Sequence, residues 1–263
     1  MRILKVLVTI VVIATVYYLF PLVWYDESSL PKIVLVNQIE NAEVTKLTTL
    51  GVVRISNLER DTYGLNPLIK NEKLSLAAEM KVDDMLKNQY FAHVSPSGDE
   101  ASDLVESTGY SFIAVGENLA TGDFKDDKNL VSGWMNSPGH RKNILHPGYL
   151  EIGVAVGRGI FEGREVWMAV QIFALPDHAC PKPDQNLFAV ISSNKEQLSS
   201  IRQDLEELER GVGLMIPGEG NKILEYNTAV YEYNSLLERT MEMIRDYNLQ
   251  IQLRNECISS YGF

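Results

Sequence analysis

Four histidines occur in the 263-residue chain, His93, His140, His146 and His178, and two of them stand in segments dense with polar and turn-forming residues. His93 lies in Tyr90-Phe91-Ala92-His93-Val94-Ser95-Pro96-Ser97-Gly98, and His140 in Gly133-Trp134-Met135-Asn136-Ser137-Pro138-Gly139-His140-Arg141-Lys142-Asn143. Between them comes Gly116-Glu117-Asn118-Leu119-Ala120, a carboxylate in a polar pair flanked by apolar residues. Two imidazoles and a carboxylate are enough ligands to hold Zn²⁺ with a water in its open position, and the ion would draw the pKa of that water toward ~7. Without metal, the same three groups can hydrogen-bond a polar ligand or exchange protons with it.

Other residues carry weaker chemistry. Ser95, Ser97 and Ser137 lack a Gly-x-Ser-x-Gly elbow, and a serine needs an oriented base and an oxyanion hole before it attacks anything. Ser137-Pro138-Gly139 is read as a turn. Asn118 and Asn143 are expected to tie backbone together rather than to touch a ligand. Glu151, at the start of a strand, is expected to be a solvated edge charge, His146 a turn residue and His178 a surface linker residue. No H-E-x-x-H pair occurs, so a zinc peptidase has no signature here.

The elements that must position these groups follow from periodicity. Leu74, Ala77, Ala78, Val82, Met85 and Leu86 recur at helical spacing behind Asn71, a good N-cap. A second helical stretch covers Lys128 to Met135. Glu151 to Gly157 and Glu165 to Phe173 read as strands, and the glycine-containing segment between them suits a hairpin. Helices followed by a hairpin predict an α+β domain.

The N-terminus is of another kind. Val6 to Tyr25 has no charged residue and matches the apolar thickness of a bilayer when helical. Arg2 and Lys5 precede it and Asp26 and Glu27 follow, which predicts a retained single anchor with the N-terminus cytoplasmic and the remainder outside. The far end, Tyr17-Tyr18-Leu19-Phe20-Pro21, offers no small-x-small cleavage step. Residues 27–50 are read as a linker. A net charge of -11 and the lack of a basic stripe exclude a nucleic-acid partner.

After Pro176 a proline-rich stretch marks a boundary, and two heptad runs follow. Leu187, Ile191, Asn194, Leu198, Ile201, Leu205 and Leu208 form the first; Ile223, Tyr226, Val230, Tyr233, Leu237, Thr240, Ile244, Tyr247 and Ile251 form the second. Glycines and Pro217 separate them, so an antiparallel helical hairpin is expected over 178–263, packing on itself or joining copies into an oligomer. The two cysteines, Cys180 and Cys257, would meet at its open end, where an oxidising compartment would allow a disulfide.

The His93, Glu117 and His140 stretches, in this order, resemble the CAP superfamily of cysteine-rich secretory, antigen 5 and pathogenesis-related proteins, in its bacterial SCP-like branch. The likeness runs from about Val52 to Pro176 and includes Gly64-Leu65-Asn66-Pro67-Leu68 and Glu151-Ile152-Gly153-Val154. It implies an α-β-α sandwich with an antiparallel sheet over 51–177, and an open cleft where His93, Glu117 and His140 match positions that can bind a divalent metal such as zinc. The fourth family position, often a glutamate, falls on Ser137. The expected function is a membrane-anchored extracytoplasmic domain whose cleft, His93, Glu117, Ser137 and His140, binds a metal ion or a lipid, sterol-like or peptide ligand at the cell envelope. Two alternatives stand beside it: a metal-dependent hydrolase with Glu117 as general base, and a scaffold acting through the helical tail.

Overall fold

Thr48 opens the first helix by turning its hydroxyl onto the Gly51 amide, one of the donors a helix start leaves unmet. That helix, α1 (Thr49–Thr62), begins inside the stretch expected to be linker, and Leu47 before it is already buried. The computed structural model describes residues 47–212 and 220–263. The expected anchor over 6–25 and the linker up to residue 46 lie outside them. Among the described residues, no helix is long and apolar enough to cross a membrane.

Eight elements up to Pro176 then follow α1: β1 (Ile69–Lys70), α2 (Glu72–Asn88), α3 (Ala101–Ser107), β2 (Phe112–Gly122), α4 (Asp127–Asn136), α5 (Pro138–Ile144), β3 (Glu151–Phe161) and β4 (Arg164–Pro176). The strands form one sheet in the order β1-β3-β4-β2. β2, β3 and β4 pair antiparallel, but β1 lies parallel to β3, so the sheet is mixed and not antiparallel throughout. The two residues of β1 are too few to show a strand pattern. The β3–β4 hairpin matches its expectation: Phe161 pairs with Arg164 across Glu162 and Gly163, both at positive φ (48° and 76°), the geometry a tight twisted hairpin requires.

β4 alternates cleanly and so divides the core into two layers. Met168, Val170, Ile172 and Ala174 face α2 and α3, packing on Leu74, Ala77, Val82 and Met85. Ala169 and Phe173 face α1, α4 and α5, packing on Val52, Leu130, Val131, Trp134 and Ile144. Gly153 lets α2 cross β3 closely, since a Cβ there would collide with the backbone of Leu74 and Ser75. On the other layer the buried Arg60 guanidinium donates to the carbonyls of Asn66 (2.8 Å), Ile144 (2.8 Å) and His146 (2.9 Å), fixing the end of α5.

After a short 3-10 turn (Asp177–Ala179) come two long helices, α6 (Gln185–Val212) and α7 (Gly220–Ser260). Their contacts climb one helix while descending the other: Asp184 with Gln250, Phe188 with Tyr247, Asn194 with Thr240. Cys180 and Cys257 are bonded, with Cα atoms 5.8 Å apart. Arg254 adds an ion pair to Asp177 at 2.5 Å, and Lys182 pairs with the same carboxylate. Lys182 first, then Arg254, hold Asp177 below the usual carboxylate value. At the far end of the chain Phe263 stacks on His146, ring centres 4.4 Å apart.

Candidate functional site

β2 is the edge strand opposite β1, and its pairing with β4 sets which way Glu117 points. Glu117 stands opposite Ile172 and Asn118 opposite Gln171. In an antiparallel ladder, opposed residues share a face, so Glu117 faces the α2/α3 layer and Asn118 the other. The Glu117 side chain is 6% exposed, and burial pushes its carboxyl above the ordinary value against the opposing pull of His93 and Lys81.

His93 comes from the loop after α2 and meets this carboxylate with Nδ1 2.5 Å from Oε1. Its side chain remains 62% exposed. The loop is held by a residue that sequence reasoning passed over. Lys81 lies fully buried on the apolar face of α2, and its ammonium donates to the His93 carbonyl (2.7 Å) and to the Tyr90 hydroxyl (3.3 Å). Tyr90 in turn donates to Asp84 (2.5 Å). The signal was present: Lys81 occupies a helical-spacing position between Ala77, Ala78 and Met85, where an apolar residue is the rule. Burial lowers the Lys81 pKa, and the carboxylates of Glu117, Asp84 and Asp99 act in the opposite sense.

His140 approaches from α5. Asn118 donates to the His140 carbonyl (3.1 Å) and to Gln171 (3.1 Å), while Asn143 donates to the Glu117 carbonyl and to Asn118 (both 3.0 Å). Gln171 continues the chain to Ser56 on α1 (2.8 Å). This amide network clamps α5 onto β2 and gives Asn118 and Asn143 the backbone-tying role expected of them. Burial, and then the nearby His93 charge, lower the His140 pKa. Ser137 ends α4 and begins α5 ahead of Pro138, the turn its sequence suggests. Ser95 and Ser97 bond each other and Asp99, closing a loop rather than facing a base.

The donor chemistry of two imidazoles and a carboxylate suits zinc. Among the described residues, no three His, Cys, Asp or Glu side chains group closely enough to hold a metal ion. Glu117 gives Oε1 to His93, and its Oε2 is buried without a hydrogen-bond partner among the described residues. The site is thus a His93–Glu117 pair with His140 beside it.

Two other expectations change. Glu151 is not a solvated edge charge: it accepts from Tyr110 and from Asn71, each at 2.7 Å, and with burial it raises the Tyr110 pKa. His146 does more than turn the chain, since its ring packs against both Tyr149 and Phe263.

With this geometry in view, the likenesses to other proteins bear on the central region. The profile of the CAP family, the cysteine-rich secretory protein family, matches residues 53–173. The chain is a CAP-domain protein. Its CAP domain is 43% identical over 116 residues to YkwD of Bacillus subtilis (strain 168), covering 44% of this chain and 43% of that one. It is 35% identical over 107 residues to the membrane protein YlbC of the same organism, covering 41% and 31%. The chain thus spans less than half the length of these relatives. A crystal structure of an extracellular SCP-domain protein from Bacillus anthracis aligns at 28% identity with a TM-score of 0.42, over 48% of this chain and 39% of that one.

Within the CAP domain a cavity of about 250 Å³ opens beside the His93–Glu117 pair, lined also by Val94, Glu100, Ala101 and Val115. Gly116 backs it: a Cβ there would strike the Tyr149 hydroxyl, and Tyr149 stacks on Phe173. Tyr149 is in turn touched by Phe263, ring centres 5.3 Å apart.

Proposed function

We propose that the chain holds its CAP domain on the outer side of a cytoplasmic membrane and uses the His93–Glu117 cleft to bind an amine-bearing peptide of the cell envelope. The observation that carries this reading is the burial of two ionisable groups, Glu117 and Lys81, around one exposed imidazole. Removing such ions from water costs several kcal/mol each, and groups perturbed in this way gather where a ligand or a reaction requires them.

Size and charge narrow the ligand. A cavity of about 250 Å³ lies below the range of ~300 to 1,000 Å³ that encloses a whole drug-sized molecule, so it suits a side chain better than a sterol-like body or a lipid tail. Glu100 and Glu117 line it, which favours a cationic donor. The charge-free run from Val6 to Tyr25 supports the anchor, and the relative YlbC is named a membrane protein. A second reading, a divalent ion on His93 and His140, draws on the lowered pKa of His140, which favours the neutral, ligating form of its ring.

The test uses the full chain in detergent micelles and fluorescence anisotropy with lysine-bearing peptides. His93→Ala and Glu117→Gln are each expected to weaken binding about tenfold, the loss of one charged hydrogen bond worth ~1.5 kcal/mol. Acetylating the lysine should do the same. Equal affinity in both variants removes the cleft from the account. Binding that vanishes with chelator and returns with zinc favours the ion, and cleaved peptide in the same samples favours a hydrolase.

A further inference from the structure

Part of the sheet edge far from the cleft has no partner strand among the described residues. β1 pairs with β3 only at Glu151 and Ile152, although β3 continues to Phe161. Beyond Ile152, β4 is the sole strand paired with β3 among the described residues. Across the open edge the Ile152 carbonyl accepts from the Asn71 amide. Main-chain groups alternate between the two edges of a strand, so those of Val154, Val156 and Arg158 face this same side. The far end is closed by Gln89, which donates to the Ile160 carbonyl (2.8 Å) and accepts from the Glu162 amide (3.1 Å). From Val154 to Arg158 the edge runs about 14 Å, room for a strand of about five residues.

A groove of about 560 Å³ lies along part of this edge, with Val154 to Val156 as its floor. Thr49 and Leu50 of α1 wall one side; Ser75, Leu76 and Glu79 of α2 wall the other. Leu50 is 71% and Leu76 48% exposed, so each wall presents apolar surface to whatever enters.

We propose that this groove binds an extended, basic-flanked peptide segment of a partner protein as an added strand on β3. Strand addition draws affinity from main-chain hydrogen bonds and specificity from alternate side chains, and here alternate residues would reach Leu50 and Leu76. A second copy of the chain fits poorly. Its own α1 and α2 flank the same edge, and edge-to-edge pairing would drive the two pairs of helices together. Charge selects the flank: Lys70 is matched by Glu72 at 2.6 Å, and Glu79 leaves the lining net acidic. An open edge is also a liability that proteins otherwise cover or blunt, as Gln89 does at its end.

The probe is a fluorescein-labelled heptapeptide of alternating valine and threonine with lysine at each end, titrated into the full chain in detergent micelles. Binding is expected, with slowed amide exchange at Val154 and Val156. Val156→Pro removes an edge-facing amide where proline is tolerated and should weaken binding about tenfold or more; N-methylating the peptide along one edge should do the same without altering the protein. The slowed exchange at Val154 and Val156 should persist in an excess of lysine amide, which fills the cleft but offers no strand, and this separates the groove from the cleft. Absence of binding at about 1 mM peptide, or full affinity with the N-methylated peptide, overturns the proposal.

Discussion

Replacing both Cys180 and Cys257 by serine should loosen the helical tail and leave the sheet as it was. The bond closes a loop of 77 residues that holds α6 and α7 and little else. On a loop-entropy account, releasing a loop of that length lowers stability by about 4.5 kcal/mol at 25 °C. At 1.36 kcal/mol per decade this is a factor of roughly 10³ in the opening equilibrium. That figure is a ceiling, because the Arg254–Asp177 pair and the Phe263–His146 stack still tether the tail. Hydrogen exchange read by mass spectrometry on the full chain in micelles separates the two regions. Peptides from α6 and α7 should exchange up to about a thousandfold faster in the serine variant, while those covering Met168 to Leu175 keep their rates. Unchanged rates in α6 and α7, or an equal acceleration in β4, would refute the reasoning.

Glu117→Gln tests the buried carboxylate. The folded state keeps the Glu117 proton where the unfolded chain has lost it, so wild-type stability should decline as pH rises from near 4.5 through the elevated folded pKa. The glutamine variant should flatten that decline in urea midpoints taken from about pH 4 to 8, and an identical slope in both proteins argues against the shift. Arg60→Met strips donors from the carbonyls of Asn66, Ile144 and His146 and should cost about 3 kcal/mol in chemical denaturation; a loss below about 0.5 kcal/mol would mean water replaces the guanidinium easily. Gly153→Ala forces a methyl against the backbone of α2 and should cost about 2 kcal/mol or more, so a variant as stable as wild type would show that the helix can step back freely.

Much of the fold is legible in the sequence because it rests on periodicity. The Asn71-capped helix and the β3–β4 hairpin lie where apolar spacing and a glycine turn put them, and the tail helices pair along the two stripes read from the heptads except at Ile223 and Ile251, which are exposed. β2 was not legible as a strand. Gly116, Glu117 and Asn118 interrupt its pattern because they serve the cleft and the amide network. α1 was not legible as a helix, since its buried positions include Ser56 and Arg60, polar residues whose burial makes sense only with Gln171 and the Ile144 carbonyl in place. The site shows the same division. His93 and Glu117 could be paired from their contexts, whereas the Lys81 contact is made to a backbone carbonyl, which no residue type announces. Glu151 misled because its partners, Tyr110 and Asn71, are remote in sequence.

One aromatic ring, that of Tyr149, is touched on one side by Phe263 and abuts Gly116 on another. Phe263 and the immediate neighbour of Glu117 are therefore separated by the thickness of a single side chain. A dye attached at position 263 would not be a neutral label. It would sit where it can report on, or disturb, events in the pocket.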